Sequence, residues 1–173
     1  IDGWETILQV NYLATSLLSL LLIPRPVAAG RKSSTPSRMV IVSSDALYWI
    51  TPAKEIETSS KPPETLSSEE WCIPKHKSRY QESKLFNFFV HASTNRLQSV
   101  TPLTAVAVTP GFCYSQLRPL AIQERLLAWT AEQGSRQLVF AAVGGRDDEE
   151  NMKGGFVSHG RLVQVADFER RGS

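Results

Sequence analysis

The sequence predicts an α/β fold, and three segments carry that prediction. Two short runs rich in β-branched residues, 37–44 (SRMVIVSS) and 103–111 (LTAVAVTPG), lack the alternation of a half-exposed strand. Such runs are typical of strands that are covered on both faces of a parallel sheet. A helical pattern runs between them from Tyr80 to about Leu97. Two strands joined by a helix indicate a right-handed crossover unit, which is the building block of this fold class.

Length and composition indicate one soluble globular domain. The chain has 173 residues, of which 42% are apolar and 21% charged, and these values exclude a disordered protein. A net charge of +2 with scattered Lys and Arg argues against a nucleic-acid partner. Cys72 and Cys113 match no metal spacing and are too few for a disulfide framework, which favours a reducing compartment.

The first helix is predicted over residues 3–23. Asp2 followed by Glu5 predicts a capping box, and Pro24 and Pro26 are expected to end the apolar run. The uncharged stretch after Glu5 is about as long as a membrane span. Its Gln, Asn, Thr and Ser side chains would lack water partners in lipid, so a buried helix of a soluble protein is favoured.

The middle of the chain contains a polar excursion, residues 51–77, which is rich in Ser, Pro, Lys and Glu. Such a composition predicts a long surface loop, and loops of this length are usually functional or mobile. The excursion is expected to lie over or beside the mouth of any ligand site at the neighbouring strand end.

The last third continues the alternation of helices and strands. Residues 112–120 predict a loop and residues 120–129 a short amphipathic helix. Thr130 with Gln133 predicts a capping box for a helix that Gly144 and Gly145 end. The acidic run 147–150 is expected to be a solvated turn, and residues 160–168 a last edge strand.

Tyr80 and Lys84 stand four positions apart at the start of the second predicted helix. Residues with this spacing lie on one face of a helix, so a phenol and an ammonium are directed the same way. A positive charge lowers the pKa of a neighbouring phenol from about 10 toward the range of a general acid or base. The alternative is a Tyr and a Lys that merely flank the end of a core helix.

Further candidate residues lie where parallel sheets bind ligands. Ser44 follows the first strand, Pro110 and Gly111 end the second, and Ser115 comes shortly afterwards. The carboxyl ends of parallel strands meet at one edge, where ligands lie in open α/β sheets. Asn11 stands among apolar residues of the first helix, where a buried amide needs partners. Ser44 as a plain strand terminus and Asn11 as a structural hydrogen-bonding group remain alternatives.

Taken in order, these motifs resemble the second half of a short-chain dehydrogenase/reductase: Asn11, Ser44, Tyr80-x-x-x-Lys84 and TPG-x-x-x-S. The segments GWETILQVNYLATSLLSLLLIP, RMVIVSSDALYW and YQESKLFNFF are similar to the retinol-dehydrogenase-like group of that family. The resemblance is close from Asp2 to about Ser115 and looser up to GGFVSHGRLV. It implies a single partial domain over residues 1–173, the last two-thirds of a Rossmann-like, doubly wound parallel sheet without its N-terminal strands.

The resemblance implies hydride transfer between NAD or NADP and an alcohol or carbonyl substrate. It implies that Tyr80 exchanges a proton with the substrate oxygen and that Lys84 lowers the pKa of the tyrosine and holds the nicotinamide ribose. Ser44 would orient the substrate oxygen, and Asn11 would support a water relay to Lys84.

The same resemblance implies a cofactor lining and a partner. Pro110, Gly111 and Ser115 would line the nicotinamide, with Ser115 reaching its carboxamide. Helices 3–23 and 80–97 would form the interface of a homodimer.

The side chains after Gly111 favour a small lipophilic substrate. Most of them are large and apolar: Phe112, Tyr114, Leu117, Leu120, Leu126, Leu127 and Trp129.

Two departures from the family pattern affect these expectations. No G-x-x-x-G-x-G turn occurs in the 173 residues, so the usual pyrophosphate cradle is not in this sequence. Because Ile1 falls inside a helix cap, a longer parent protein with roughly 80 to 100 preceding residues is expected. No leader is visible, and a cytoplasmic location is the default. The excursion makes the interval from Ser44 to Tyr80 longer than in the family's compact members, so the position of Ser44 is expected to depend on how the excursion folds.

Two hypotheses of different class follow. In the first, the parent protein is an NAD(P)-dependent oxidoreductase whose catalytic half is this chain. In the second, the chain is a truncated, non-catalytic remnant, or a short form that binds a partner through its apolar helices and does not bind the cofactor. A metal site is not expected, since His76, His91 and His159 lie far apart and have no accompanying carboxylate spacing. A serine hydrolase is excluded by the absence of G-x-S-x-G.

Overall fold

A computed structural model of the chain describes residues 3–75, 78–114 and 127–163. Within these ranges the strands are β1 (Ser37–Val42), β2 (Leu103–Val108), β3 (Phe156–Ser158) and β4 (Arg161–Val163). The α-helices are α1 (Thr6–Leu8), α2 (Ala14–Leu22), α3 (Pro24–Lys32), α4 (Lys54–Glu57), α5 (Pro62–Ser67), α6 (Glu69–Lys75), α7 (Arg79–Asn95), α8 (Ala131–Val143) and α9 (Glu149–Met152). A π-helical turn spans Gln9–Leu13, and 3-10 turns span Asp45–Trp49, Arg96–Ser99 and Arg146–Asp148.

The four strands form one sheet in the order β1-β2-β3-β4. β1 is parallel to β2, with Val40 opposite Val106, and β2 is parallel to β3, with Ala107 opposite Phe156. β4 pairs antiparallel with β3 at the edge of the sheet. The predicted α/β fold is therefore confirmed, and the sheet is consistent with part of a Rossmann fold. β3 was not predicted, because three residues are too few to show a pattern.

The core lies on both faces of β2, whose six residues are all buried. On one face Val106 and Val108 pack with Ala141 of α8. On the other face Ala107 packs with Leu85 of α7. Side chains along a strand alternate between its faces, so a strand that is covered by helices on both sides needs apolar residues at every position. This is why 103–108 shows no alternation in the sequence.

The N-terminal helix differs from its prediction at both ends. Asp2 lies outside the described residues, and Glu5 itself caps α1 by accepting a hydrogen bond from the N–H of Leu8 at 2.9 Å. Pro24 does not end the helical structure, because it begins α3 directly after α2. A proline is tolerated in a first helical turn, since the N–H that it lacks would have no intrahelical partner there.

The prediction that this helix is buried is wrong for the single chain. Leu17, Leu20 and Leu21 of α2 are 59 to 67% exposed. The leucines of α2 lie on the side of the helix that the rest of the described chain leaves uncovered. By length and composition alone, the helical stretch Thr6–Lys32 could cross a membrane. The side of the helix that faces the sheet is more polar, and Ser19 is its buried member.

The polar excursion is helical and not the loop that its composition predicted. Its described part contains α4, α5 and α6, and buried Ile56 and Leu66 pack there against Leu8 of α1. Trp71 and Phe86 pack against the same cluster. A few apolar side chains of this mostly polar segment thus pack it against α1 and α7.

A buried arginine reinforces this attachment. Arg79, the first residue of α7, is fully buried and forms ion pairs with Glu82 at 2.8 Å and with Glu5 at 3.6 Å. Its Nη2 donates a hydrogen bond to the Trp71 carbonyl oxygen at 3.3 Å. One guanidinium therefore joins α1, the excursion and the start of α7, where the candidate Tyr80 follows.

The C-terminal part confirms the predicted cap of α8. The Thr130 N–H donates to the Gln133 side chain at 2.9 Å, the Gln133 N–H donates to the Thr130 hydroxyl at 3.2 Å, and Gly144 caps the other end. The acidic run was predicted as a solvated turn, but its Glu149 forms an ion pair with buried Arg38 of β1 at 2.6 Å. Most of the predicted 120–129 helix lies outside the described residues. Of the predicted 160–168 strand, only β4 is described.

His91 of α7 is a buried histidine. Its side chain is 1% exposed, and its Nε2 lies 3.3 Å from the Ala105 carbonyl oxygen of β2. Among the described residues its Nδ1 has no hydrogen-bond partner. Burial lowers the pKa of His91 to about 4, because the imidazolium would lose its hydration inside the core.

This burial predicts a pH-dependent stability. The unfolded chain takes up a proton on His91 below about pH 6.5, whereas the folded chain does so only near pH 4. The free energy of unfolding should therefore fall by about 3 kcal/mol as the pH drops from 6.5 to 4. Urea titrations across this range would measure the loss. His91→Gln should remove it, whereas His159→Gln, at an exposed position, should retain it; an equal pH slope in both variants would contradict the prediction.

Candidate active site

The candidate residues lie at the edge of the sheet where β1 and β2 end. Ser44 follows β1, Pro110 and Gly111 follow β2, and Tyr80 stands in the first turn of α7. Ser43 donates a hydrogen bond to the Lys84 carbonyl oxygen at 3.0 Å, which ties the end of β1 to α7. The end of β1, which Ser44 follows, therefore lies beside the part of α7 that carries Tyr80 and Lys84.

Tyr80 and Lys84 face the same region, as their spacing predicts. The Lys84 Nζ lies 5.7 Å from the centre of the Tyr80 ring and donates a hydrogen bond to the Val42 carbonyl oxygen at 3.4 Å. Tyr80 is 39% exposed, so its phenol can be reached from solvent. Burial lowers the pKa of Lys84, because a buried ammonium loses hydration. A negative or hydroxyl-bearing group beside it would replace that hydration.

Asn11 lies in the π-helical turn Gln9–Leu13, an irregularity that is frequent at functional sites. Its Nδ2 donates to the Ser83 hydroxyl at 3.0 Å, and Ser83 in turn donates to the Tyr80 carbonyl oxygen at 2.7 Å. Asn11 therefore contacts the α7 turn between the two candidate residues. Its predicted role as support for a water relay to Lys84 stays a prediction.

Asn11 and Lys84 share a cavity of about 350 Å³ that runs along the free edge of β1. Asn87 lines the same cavity, and its Oδ1 is buried without a hydrogen-bond partner among the described residues. An ammonium and two amides thus face one space. The remaining wall is mostly apolar, from α2 and β1.

Ser44 caps the 3-10 turn Asp45–Trp49 and has an extended backbone. Its hydroxyl oxygen accepts a hydrogen bond from the Ala46 N–H at 3.2 Å. The cap holds the oxygen in place while the hydroxyl proton points away from the accepted bond. Ser44 is half-buried, so this proton can be offered to a substrate oxygen.

Gly111 begins the turn after β2 with a φ of +78°, in the left-handed region that favours glycine. A Cβ placed on Gly111 would lie 3.1 Å from the Trp129 ring. The backbone N–H of Trp129 in turn donates a hydrogen bond to the Phe112 carbonyl oxygen at 2.8 Å. The Pro110–Gly111 turn is therefore held in one shape. Ser115, the third predicted cofactor contact, lies outside the described residues.

Sequence reasoning missed a polar group at the same edge. The Asp45 carboxylate accepts hydrogen bonds from the hydroxyls of Thr109, which follows β2, and of Ser158, which ends β3. Asp45 comes directly after the predicted strand 37–44, and Thr109 lies near the end of the predicted strand 103–111, so their positions could have singled them out. Ser158 could not be found this way, because its strand was too short to predict.

The donors at this edge fit the nicotinamide end of a dinucleotide. An ammonium and a phenol, those of Lys84 and Tyr80, can hold ribose hydroxyls. The unpartnered Asn87 Oδ1 shows that the cavity lined by Lys84 has unused hydrogen-bonding capacity. The described residues contain no group of three His, Cys, Asp or Glu side chains that could hold a metal ion.

Known proteins similar to this chain share one description. The chain is 36% identical over 148 residues to the short chain dehydrogenase sol3 of Alternaria solani, covering 81% of this chain and 50% of that protein. It is 28% identical over 178 residues to the short chain dehydrogenase rstn4 of Aspergillus nomiae, covering 96% and 47%. With the short chain dehydrogenase FGM9 of Gibberella zeae it shares 30% over 189 residues, covering 98% and 52%. The chain spans about half the length of the curated relatives it matches.

Two further comparisons found nothing similar. No protein-family model matches the chain, and no solved structure matches it at a significant level. The relationship therefore depends on the pairwise similarities.

The Gly111 turn yields a prediction with a matched control. Gly111 and Gly160 both have positive φ values, +78° and +73°, but only Gly111 contacts Trp129, whereas nothing lies near a Cβ on Gly160. Gly160→Ala should lower the free energy of unfolding by about 1–2 kcal/mol through backbone strain alone. Gly111→Ala should lower it by about 2–3 kcal/mol, because Trp129 must also shift. Urea denaturation followed by far-UV circular dichroism would compare them; equal losses would show that Trp129 yields freely.

Proposed function

The chain belongs to the short-chain dehydrogenase/reductase family, and on that premise we propose that its full-length protein is an NAD(P)-dependent oxidoreductase. The proposed reaction interconverts a lipophilic alcohol and its ketone or aldehyde. The observation that carries the proposal is the position of Lys84 beside Tyr80, at the edge where Ser44 and Gly111 follow neighbouring parallel strands.

Proton placement is the task of this chain's own residues. NAD(P), when bound, supplies or accepts the hydride. The Tyr80 hydroxyl gives a proton to the substrate oxygen during reduction and takes it back during oxidation. Lys84 places its positive charge beside the phenol and holds the ribose hydroxyls. Ser44 donates a hydrogen bond to the substrate oxygen, which fixes its direction toward Tyr80.

The remaining predicted residues complete this arrangement. Asn11, fastened to Ser83, is proposed to hold a water between the cavity and Lys84. Pro110 and Gly111 form the surface against which the nicotinamide ring lies, with Ser115 at its carboxamide. The stiffness of the Gly111 turn supports this role, because a preorganised wall limits the orientations of a planar ring.

A lipophilic substrate is supported by the side chains near this edge. Trp49, in the turn that Ser44 caps, is 78% exposed, and Phe112 and Tyr114 after Gly111 are 46% and 48% exposed. Exposed aromatic side chains that follow the ends of strands flanking a candidate site are typical of an apolar binding surface. The similarity to the retinol-dehydrogenase-like group would fit such a substrate and stays a prediction.

We extend the proposal to the assembly and location of the protein. A homodimer through helices 3–23 and 80–97 is supported by the exposed leucines of α2 and by Phe89 of α7, which is 48% exposed. Burying these side chains against a second copy would remove them from water. A cytoplasmic location stays the default expectation.

The alternative, a non-catalytic short form, also has an observation in its favour. β1 lies at an edge of the described sheet, and the cavity beside it is open along that edge. An additional strand and a pyrophosphate cradle would be needed to complete a dinucleotide site there. Titrating NADPH into this chain and into a longer product of the same gene would separate the two, since the oxidoreductase hypothesis requires binding by the longer product.

The proton role of Tyr80 predicts a large and specific loss. Tyr80→Phe in the full-length protein should lower kcat by roughly 10²- to 10⁴-fold, because the acid is removed, while NAD(P) affinity changes little. Steady-state kinetics and cofactor titration would measure both quantities. Tyr12→Phe is the matched control, since the Tyr12 ring packs on Phe86 with ring centroids 4.8 Å apart. This substitution should leave kcat unchanged. Retained turnover in Tyr80→Phe would remove this residue from the mechanism.

The lipophilic surface predicts a graded substrate preference. In a series of n-alkyl methyl ketones, kcat/KM should rise with each methylene by about threefold to fourfold until the surface is filled, since a buried methylene contributes about 0.8 kcal/mol. Reduction rates followed by NAD(P)H absorbance would test this. A panel in which only small polar sugars react would overturn the substrate proposal and leave the oxidoreductase proposal intact.

A further inference from the structure

The ends of three parallel strands meet at one carboxylate, that of Asp45 after β1. Asp45 Oδ2 accepts from the Thr109 hydroxyl at 3.3 Å, and Asp45 Oδ1 accepts from the Ser158 hydroxyl at 3.1 Å. Asp45 directly follows Ser44, and Thr109 directly precedes Pro110. The carboxylate therefore connects the two loops that carry Ser44 and the Pro110–Gly111 turn.

The direction of each proton follows from the number of bonds at each oxygen. The Thr109 Oγ1 already accepts the N–H of Asp45 at 3.4 Å and the N–H of Gly111 at 3.2 Å. A hydroxyl oxygen has two lone pairs, so the Thr109 proton remains to be donated to Asp45. Asp45 thus serves as an acceptor of two hydroxyl protons, which is the role of an ionised carboxylate.

The third strand extends the same chain of bonds. If Ser158 donates to Asp45, its oxygen must accept from the His159 Nδ1, which lies 2.8 Å away. His159 therefore carries its proton on Nδ1. The His159 ring packs edge to face on Trp129 at 5.3 Å, and Trp129 packs against Gly111. Because Gly111 also bonds to Thr109, the contacts form a closed ring that begins and ends at Asp45.

We propose that Asp45 is a positioning residue that fixes the distance between the Ser44 hydroxyl and the Pro110–Gly111 turn. This inference rests on the proposed oxidoreductase function. One loop orients the substrate oxygen and the other forms the wall for the nicotinamide, so a shift of either would misalign the two reactants. Misplacement by about 1 Å can cost about 100-fold in rate. Asp45 acts through these loops and not by touching the substrate.

Replacing the carboxylate with an amide tests this role with little change of shape. Asp45→Asn keeps one acceptor oxygen, which must face Thr109 because both lone pairs of that hydroxyl are used. The new NH₂ then faces Ser158, whose proton loses its acceptor. We expect kcat of the full-length protein to fall roughly 10- to 100-fold. Asp147→Asn, the same change in an exposed 3-10 turn, is the control and should leave kcat unchanged.

A double-mutant cycle distinguishes positioning from a general structural effect. If Asp45 acts through Ser44, then Asp45→Asn should lower kcat much less in a Ser44→Ala background than in the wild type. Equal fold losses in both backgrounds, measured on equal amounts of folded protein, would overturn positioning through Ser44. Should Asp45→Asn fail to fold, Ser158→Ala removes one of the two hydroxyl donors and permits the same cycle.

An NMR measurement tests the closed set of contacts around Asp45 and does not depend on enzyme activity. The ¹⁵N shifts of His159 at pH 8 should show the Nδ1–H tautomer in the wild type, and Asp45→Asn should shift the Gly111 amide and the His159 ring signals. An Nε2–H tautomer, or unchanged signals in Asp45→Asn, would overturn the inference. If the wild type reduces no carbonyl compound but the NMR pattern is as expected, the proposed function fails while the Asp45 connection remains.

Discussion

The burial of β2 between two helical layers is the constraint on which the rest of the structure depends. Val106 and Val108 fill the core toward α8, and Ala107 fills the core toward α7. Helical crossovers connect parallel strands and cover both faces of the sheet, and the neighbours of β2 accordingly run parallel to it. This register places the carboxyl ends of β1, β2 and β3 side by side, and every candidate contact at the sheet edge follows from it.

Buried ion pairs hold the outer elements of the fold in place around the central strand. Arg38 of β1 pairs with Glu149, and Arg79 pairs with Glu5 and Glu82 while also binding the Trp71 carbonyl. Such groups contribute less to net stability than their Coulomb attraction suggests, because each had to leave water. They do specify one arrangement, since any other would leave a guanidinium buried without its partner. In that way Arg79 fixes the turn of α7 in which Tyr80 stands.

The candidate site combines local and long-range geometry. Tyr80 and Lys84 are aligned by helix periodicity alone, and Ser44 is held by the short turn that it caps. The closed set of contacts around Asp45 depends on long-range geometry, because its members come from the ends of three strands and from Trp129. Helix periodicity brings the Tyr80 phenol near the Lys84 ammonium. The contacts around Asp45 set the distance between the two loops that would hold substrate and cofactor.

By itself the sequence determined the α/β class, the parallel pair of β1 and β2, the cap of α8 and the shared face of Tyr80 and Lys84. Each of these depends on residues within a few positions, or on a strand that is apolar throughout. Only the tertiary structure decided the helical form of the excursion, the exposure of the α2 leucines, the partner of Glu149 and the meeting of Asp45 with Thr109 and Ser158. Those contacts join residues far apart in the chain, and short-range patterns contain no information about which distant side chains will meet.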